Sequence, residues 1–313
     1  MNLVFCGTPV FAVPSLERLL DAGFTVKLVV TQPDRASGRG MELAASPVKR
    51  SALEFGLPIT QPDKIKNNDE FRARLESIAP DAIIVVGYGG IIPPWMIDLP
   101  KHGNINVHAS LLPKYRGAAP IQWAIANGES VTGVTIMRID AGLDTGDMLM
   151  QAEEPIGPDD TAITLGPRLA KTGAELTITS LAGLANGTVH PLPQDNSKAT
   201  LAPILKKEDG LIDFSRGATE TWNRLRGFQP WPGAFTTFRE RTLQIHRAEP
   251  APEVALVRPA HFVVENGRLL MGFAHGSTLE VRELQVEGKK RMSAHDFING
   301  YRPLSDEPLG VMA

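Results

Sequence analysis

Residues 104–123 read NINVHASLLPKYRGAAPIQW, and this stretch decides the fold. Ile105 and Val107 alternate with Asn106 and His108, the period-two pattern of a strand, so the two polar side chains share one face. Pro113, Arg116 and Gly117 then break the run as a turn, and the chain restarts as a helix near Ala119. In an open α/β sheet ligands bind outside the carboxyl ends of the strands, which is where Asn106 and His108 would lie. Histidine trades protons near neutral pH, and a carboxamide can donate to a developing oxyanion. A satisfied polar pair at a strand end would give the same pattern, so N-x-H needs support from elsewhere.

That support comes in residues 132–149, TGVTIMRIDAGLDTGDML. Val134, Ile136 and Ile139 mark a strand, and Gly142, Asp144 and Gly146 a tight acidic loop after it. A carboxylate at Asp144 would orient His108 and favour its charged form. Ordinary turn chemistry also explains Asp among glycines. HASLLPKYRGAAP followed by GVTIMRIDAGLDTGDML resembles the 10-formyltetrahydrofolate-dependent formyltransferases. From end to end the chain is similar to the members of that family that act on methionyl-tRNA.

The resemblance implies a reaction and a site. A formyl group would pass from 10-formyltetrahydrofolate to the α-amine of methionine on initiator Met-tRNA. Asn106, His108 and Asp144 would be catalytic. Ser110, Leu111, Leu112 and Pro113 match the family's folate-contacting segment, and Val85, Gly87, Tyr88 and Gly89 would line the pterin pocket. The same three catalytic residues would equally serve a formyltransferase for a small amine, such as glycinamide ribonucleotide or an amino-sugar nucleotide. A folate- or RNA-binding protein without transferase activity would not need the complete set.

The surrounding pattern is βαβ. Leu3 to Phe5, Val26 to Val30, Ala82 to Val86 and Ile105 to Val107 read as strands, with a helix after Val13 that has Pro14 in its first turn and Gly23 as a stop. Strands alternating with helices predict a Rossmann-like parallel sheet. Gly7 alone is not G-x-G-x-x-G, so a dinucleotide site is not indicated. Residues 31–49, TQPDRASGRGMELAASPVK, are long for a βα connection, and loops of that length are functional or disordered. Arg35, Arg39 and Lys49 could meet phosphates there, or simply be solvated. The resemblance makes this segment the insertion that enters the acceptor end of the tRNA and carries over Arg39. Met41-Glu42 departs from the more basic residues of relatives.

Residues 163–184 read as a helix closing the first domain, and residues 185–203, rich in Asn, Gly, Pro, Ser and Thr, read as a linker. Shorter runs follow at 211–214, 235–238, 243–246, 269–273 and 279–286, with a helical run at 219–226. They predict a small β-barrel, and the resemblance adds that it is OB-like. The expected division is a catalytic domain at 1–189, a linker at 190–205 and a tRNA-binding domain at 206–313. Residues 227–233, GFQPWPG, form an aromatic turn that reads more readily as packing than as ligand contact. Lys289, Lys290 and Arg291 are the one basic triplet and candidate phosphate contacts.

Composition bounds these readings. The 313 residues exceed one typical domain. Net charge is −3, without the broad basic footprint of a nucleic-acid binder, so any RNA contact must come from local patches. No basic leader precedes Leu3 and no apolar run reaches the length of a membrane span. Cys6 is the only cysteine and reads as a core residue. Neither H-E-x-x-H nor paired cysteines occur, so no metal is expected, and no G-x-S-x-G elbow suggests a serine hydrolase. A cytoplasmic monomer is the resulting expectation.

Overall fold

The computed structural model describes residues 1–37, 42–253, 257–305 and 307–310. They divide into two compact units. The first comprises Met1–Gly117, Val131–Pro155 and Gly166–Ala202, the second Ala118–Ser130, Ile156–Leu165 and Pro203–Ala313.

The chain opens with strand β1 (Asn2–Gly7), helix α1 (Val13–Asp21) and strand β2 (Thr25–Val30). Strands β3 (Arg35–Ser37) and β4 (Glu42–Ala44) follow, then α2 (Pro47–Glu54), β5 (Ile59–Thr60) and α3 (Asp69–Ile78). Next come β6 (Ala82–Val86), α4 (Pro94–Ile97), β7 (Asn104–His108) and α5 (Pro120–Ala126). Strands β8 (Val131–Arg138) and β9 (Met148–Pro155) precede the long α6 (Ala162–Asn186).

Among the described residues the first unit holds a seven-stranded sheet in the order β5-β2-β1-β6-β7-β8-β9. Its heart is apolar for the expected reason: Leu3, Val4 and Phe5 of β1 and all of β6 are buried, as strands covered on both faces must be. The order reverses between β1 and β6, which creates a crevice at their carboxyl ends. The sheet is mixed rather than wholly parallel. β7 pairs parallel with β6, but β8 runs antiparallel to β7 and to β9. A hairpin from β8 to β9 needs no crossover helix, and none intervenes.

Two expectations for this unit change. Residues 31–49 contain a hairpin, with Arg35 opposite Ala44 and Ser37 opposite Glu42, and run into α2, whose N-cap Ser46 accepts from the Lys49 amide. Residues 38–41, with Arg39, lie outside the described residues. Lys49 does not point to phosphate, because its Nζ pairs with Asp34 at 2.6 Å. Residues 185–202 are also not a free tether. Leu192 bridges Met148, and Leu201 bridges Arg116, so the composition of a linker here disguises a segment laid against the first unit.

The second unit contributes α7 (Ala218–Gly227), β10 (Ala234–Phe238), β11 (Arg241–Pro250), β12 (Phe262–Glu265), β13 (Arg268–Gly272), β14 (Thr278–Val286), β15 (Met292–Ser293) and α8 (Ala294–Tyr301). Among the described residues its six strands form one antiparallel sheet, β10-β11-β14-β13-β12 with β15 on β14. Phe238, Phe262 and Phe297 are fully buried beside Leu243 and Leu284. Residues 211–214 form no strand, only a single bridge from Leu211 to Phe235. Phe214 instead stacks on Phe273 at 5.3 Å between ring centroids. The 227–233 turn is a packed one at Phe228, which is fully buried, while Trp231 stays exposed.

Candidate active site

β7 presents Asn106 and His108 on one face, opposite Met137 and Thr135 of β8. His108 is buried and Asn106 half-buried. Beyond His108 the chain turns back, and Tyr115, in the left-handed region at φ 61°, aims its carbonyl at the imidazole. His108 Nε2 lies 2.9 Å from that oxygen. A carbonyl only accepts, so Nε2 carries a proton and Nδ1 is the nitrogen turned to the rest of the site. The Tyr115 amide in turn donates to Thr200 Oγ1 at 2.9 Å.

Nδ1 faces Oδ2 of Asp144 at 3.7 Å. Because β8 is antiparallel, its last residue, Arg138, lies opposite Ile105 at the entry of β7. Asp144 therefore does not sit at a neighbouring carboxyl strand end, as a parallel sheet would have it. The loop between β8 and β9 brings it to the polar face instead. Asp140 folds that loop by accepting from the Gly142 amide at 3.0 Å and from Thr145 Oγ1 at 2.7 Å. Asp144 itself is left-handed at φ 51°, a conformation that Asp and Asn adopt more readily than other side chains.

Asp144 Oδ2 accepts the Gly117 amide at 2.9 Å, and Oδ1 accepts Asn106 Nδ2 at a long 3.4 Å. The carbonyl oxygens of Asp144 and Gly146 accept from Gln194 Nε2 at 2.8 and 2.7 Å. At 3.7 Å the carboxylate is beyond hydrogen-bonding distance of Nδ1. In the imidazolium form the Nδ1 proton, like the Asn106 amide, is thus open to an acceptor placed among the three side chains. The geometry suits stabilisation of a negatively charged oxygen beside a fixed carboxylate.

Asn106 and Asp144 open on a cleft of about 420 Å³ whose walls also include Val85, Gly87, Tyr88 and Gly89, while His108 is not part of its lining. Gly87 has φ 54°, and a Cβ there would meet Pro9 at 2.8 Å, so backbone alone fits at this wall. Tyr88 is buried, which pushes its phenol up to about 12. A second cleft of about 560 Å³ shares Gly87, Tyr88 and Gly89 and adds Thr8, Arg35 and Arg50. A flat, largely apolar ligand with a polar end fits the first cleft in size and lining. Among the described residues no group of three or more His, Cys, Asp or Glu could hold a metal ion.

Ser110, Leu111, Leu112 and Pro113 do not line either cleft. Their polar atoms are spent on holding the turn. Ser110 Oγ donates to the Lys114 carbonyl at 2.7 Å, the Leu112 amide to Thr135 Oγ1 at 3.1 Å, and Gln151 Nε2 to the Leu112 carbonyl at 2.8 Å. Pro113 accepts from the Thr200 amide, and Leu111 lies where a side chain on Gly133 would go. In the second unit Lys289, Lys290 and Arg291 are exposed between β14 and β15, and Arg291 is paired with Glu283. The participants that sequence reading missed are the Gly117 amide, the Tyr115 carbonyl and Gln194. A backbone group carries no side-chain signal, and Gln194 sits in a stretch that reads as a connection.

The formyl transferase family model matches residues 1–181, and the model of the formyl transferase C-terminal domain matches residues 204–302. The chain belongs to the formyl transferase family. The methionyl-tRNA formyltransferase of Koribacter versatilis is 66% identical over the whole of both chains. That of Acidobacterium capsulatum is 61% identical over 99% of this chain and all of its own. An N-formyltransferase from Helicobacter canadensis, solved with folinic acid and dTDP-3-aminofucose, superposes with a TM-score of 0.67 at 21% identity. That superposition covers 89% of this chain and 98% of that one. In this formyl transferase no helix among the described residues is long and apolar enough to cross a membrane.

Proposed function

We propose that the chain transfers the formyl group of 10-formyltetrahydrofolate to the α-amine of methionine on initiator Met-tRNA, at Asn106, His108 and Asp144. The donor supplies the formyl carbon, and its N10 leaves as the new amide bond forms. An α-amine has a pKa of about 7.7–8.0, so a useful neutral fraction attacks near pH 7. Asn106 Nδ2 and His108 Nδ1 donate to the formyl oxygen as negative charge develops there. Asp144 faces Nδ1 at 3.7 Å as the charge partner of the imidazolium, and it assists the proton lost by the amine on its way to N10. The observation that carries this reading is the meeting of Asn106 and His108 at the Asp144 carboxylate, beside the 420 Å³ cleft that Asn106 and Asp144 line, in a chain 66% identical to a methionyl-tRNA formyltransferase.

Residues 1–189 then form the catalytic domain, 190–205 the connection and 206–313 the tRNA-binding domain, with Arg39 at the acceptor end of the tRNA and Lys289, Lys290 and Arg291 as phosphate contacts. One copy carries all three catalytic side chains, which supports action as a monomer, and the substrates imply a cytoplasmic location. The test is formyl transfer from 10-formyltetrahydrofolate to initiator Met-tRNA, elongator Met-tRNA, glycinamide ribonucleotide and an amino-sugar nucleotide. Preference for initiator Met-tRNA is the expected result. Preference for a small amine would overturn the substrate.

A further inference from the structure

Gln194 lies in the segment whose composition suggests a tether, yet its carboxamide is held at both ends. Its Oε1 accepts from Nε and Nη2 of Arg116 at 3.1 and 2.7 Å. Its Nε2 donates to the carbonyls of Asp144 and Gly146 at 2.8 and 2.7 Å. A guanidinium only donates and a carbonyl only accepts, so the amide has one admissible orientation. Arg116 is buried, takes a further acceptor in Asn196 Oδ1 at 2.8 Å, and pairs with no carboxylate among the described residues. A buried cation satisfied only by neutral oxygens is costly to keep, and here its donors fix which end of Gln194 faces the loop.

The backbone of the same residue serves the same end. The Arg116 amide donates to the Thr200 carbonyl at 2.8 Å, and the Ala202 amide to the Arg116 carbonyl at 2.7 Å. The next amide along, that of Gly117, binds the Asp144 carboxylate. The Asp144 loop is thereby gripped from two sides, at its carbonyls by Gln194 and at its carboxylate by Gly117.

We propose that Gln194 is a positioning residue for formyl transfer, setting the place of the Asp144 carboxylate, and that Arg116 fixes the amide orientation this requires. The proposal rests on the role given to Asp144 above. Misplacement of a catalytic group by an ångström can cost about 100-fold in rate, and one side-chain amide bonded to two loop carbonyls is the restraint against it.

Gln194→Glu separates positioning from folding. It keeps an acceptor for Arg116, now as an ion pair, but sets an acceptor in place of the donor against two carbonyl oxygens. Turnover of initiator Met-tRNA at saturating 10-formyltetrahydrofolate should fall about tenfold to a hundredfold in Gln194→Glu and Gln194→Ala. KM for either substrate should stay within about twofold, and the thermal transition of Gln194→Glu should stay near that of the unaltered enzyme. The second arm places Gln194→Glu on Asp144→Asn. A residue acting through Asp144 should cost no more than about twofold further there. Full turnover in Gln194→Glu, or losses that multiply in the double variant, would overturn the proposal while leaving Asp144 in its role. Full turnover in Asp144→Asn alone would overturn that role and the proposal with it.

Discussion

The backbone amide of Gly117 donates to Oδ2 of Asp144 at 2.9 Å, so the carboxylate nearest His108 is held by main chain. Gly117 has φ 123°, and a Cβ added to it would lie 2.6 Å from the Ala202 carbonyl oxygen. Both the backbone conformation and the space exclude a side chain. Gly117→Ala should therefore destabilise the protein by about 1–3 kcal/mol and lower turnover as the amide is displaced. Urea unfolding beside a formylation assay checks both. Wild-type values in the two measurements would show that the amide can move without consequence.

Asn106 and His108 are the two donors turned toward the same space. Loss of one oxyanion donor typically costs about 10²–10³ in turnover, so Asn106→Ala and His108→Ala should each lose at least that much. Asn106→Ala gives up only the 3.4 Å contact to Asp144, and its stability should hardly change. Single-turnover formylation with pre-bound substrates reads the step directly. A folded variant with near-normal turnover would remove that residue from the mechanism.

Asp144→Asn separates charge from shape. Asparagine tolerates the left-handed backbone at φ 51°, and its side-chain oxygen can still accept the Gly117 amide. Turnover should fall strongly while the thermal transition barely moves. Asp144→Ala, which lacks both compensations, should lose stability as well. Retained turnover in Asp144→Asn would leave Asp144 as a turn residue only.

RNA affinity has to come from few cations in a chain of net charge −3. Arg291 is already paired with Glu283, whereas among the described residues Lys289 and Lys290 have no ion-pair partner. Replacing both lysines by alanine should make the log–log salt dependence of tRNA binding shallower by about 1.4–1.8, at roughly 0.7–0.9 per phosphate contact. Initiator and elongator tRNA should weaken alike, because phosphate contacts carry no sequence information. Filter binding across a salt series measures this, and an unchanged slope would take the turn out of the interface.

The root of the β3–β4 hairpin carries a pH dependence. The hydrogen bond from Lys49, then that from Gln61, holds the Asp34 carboxyl below its usual value. The folded value being the lower, this contribution is present above the ordinary carboxylate value of about 3.9 and is lost as pH falls through the depressed one. Unfolding free energy followed from pH 6 downward should drop less steeply in Asp34→Asn than in the unaltered protein. Parallel curves would show that the pair adds nothing to stability.

Much of this was legible because it is periodic. Alternation around Asn106 and His108 places β7, the apolar run 82–86 places β6, and the spacing in 163–184 places α6. Periodicity does not state direction, however, so the antiparallel β8–β9 hairpin, and with it the true approach of Asp144, was hidden. Strands of three residues, as in β3 and β4, are too short to alternate visibly. Phe262–Glu265 is barely longer, and α8 offers a single buried residue, Phe297. Lys49 looked free because its partner, Asp34, lies fifteen positions away. Gln194 stayed hidden for a different reason: Asn, Gly, Pro, Ser and Thr announce irregular backbone, whether that backbone swings free or is bound down at every step.

The bridges from Leu192 to Met148 and from Leu201 to Arg116 also bear on how the protein comes into being. When a nascent chain has emerged as far as Asn186, all seven strands of the first sheet and all three members of the Asn106, His108 and Asp144 group have been synthesised. The Gln194 side chain, the Thr200 hydroxyl and the Ala202 amide have not. A ribosome must add sixteen more residues before the strap that fixes Arg116 and the Asp144 loop exists. An open reading frame shortened at the end of the long helix would therefore encode Asn106, His108 and Asp144 and still lack the frame that aims them.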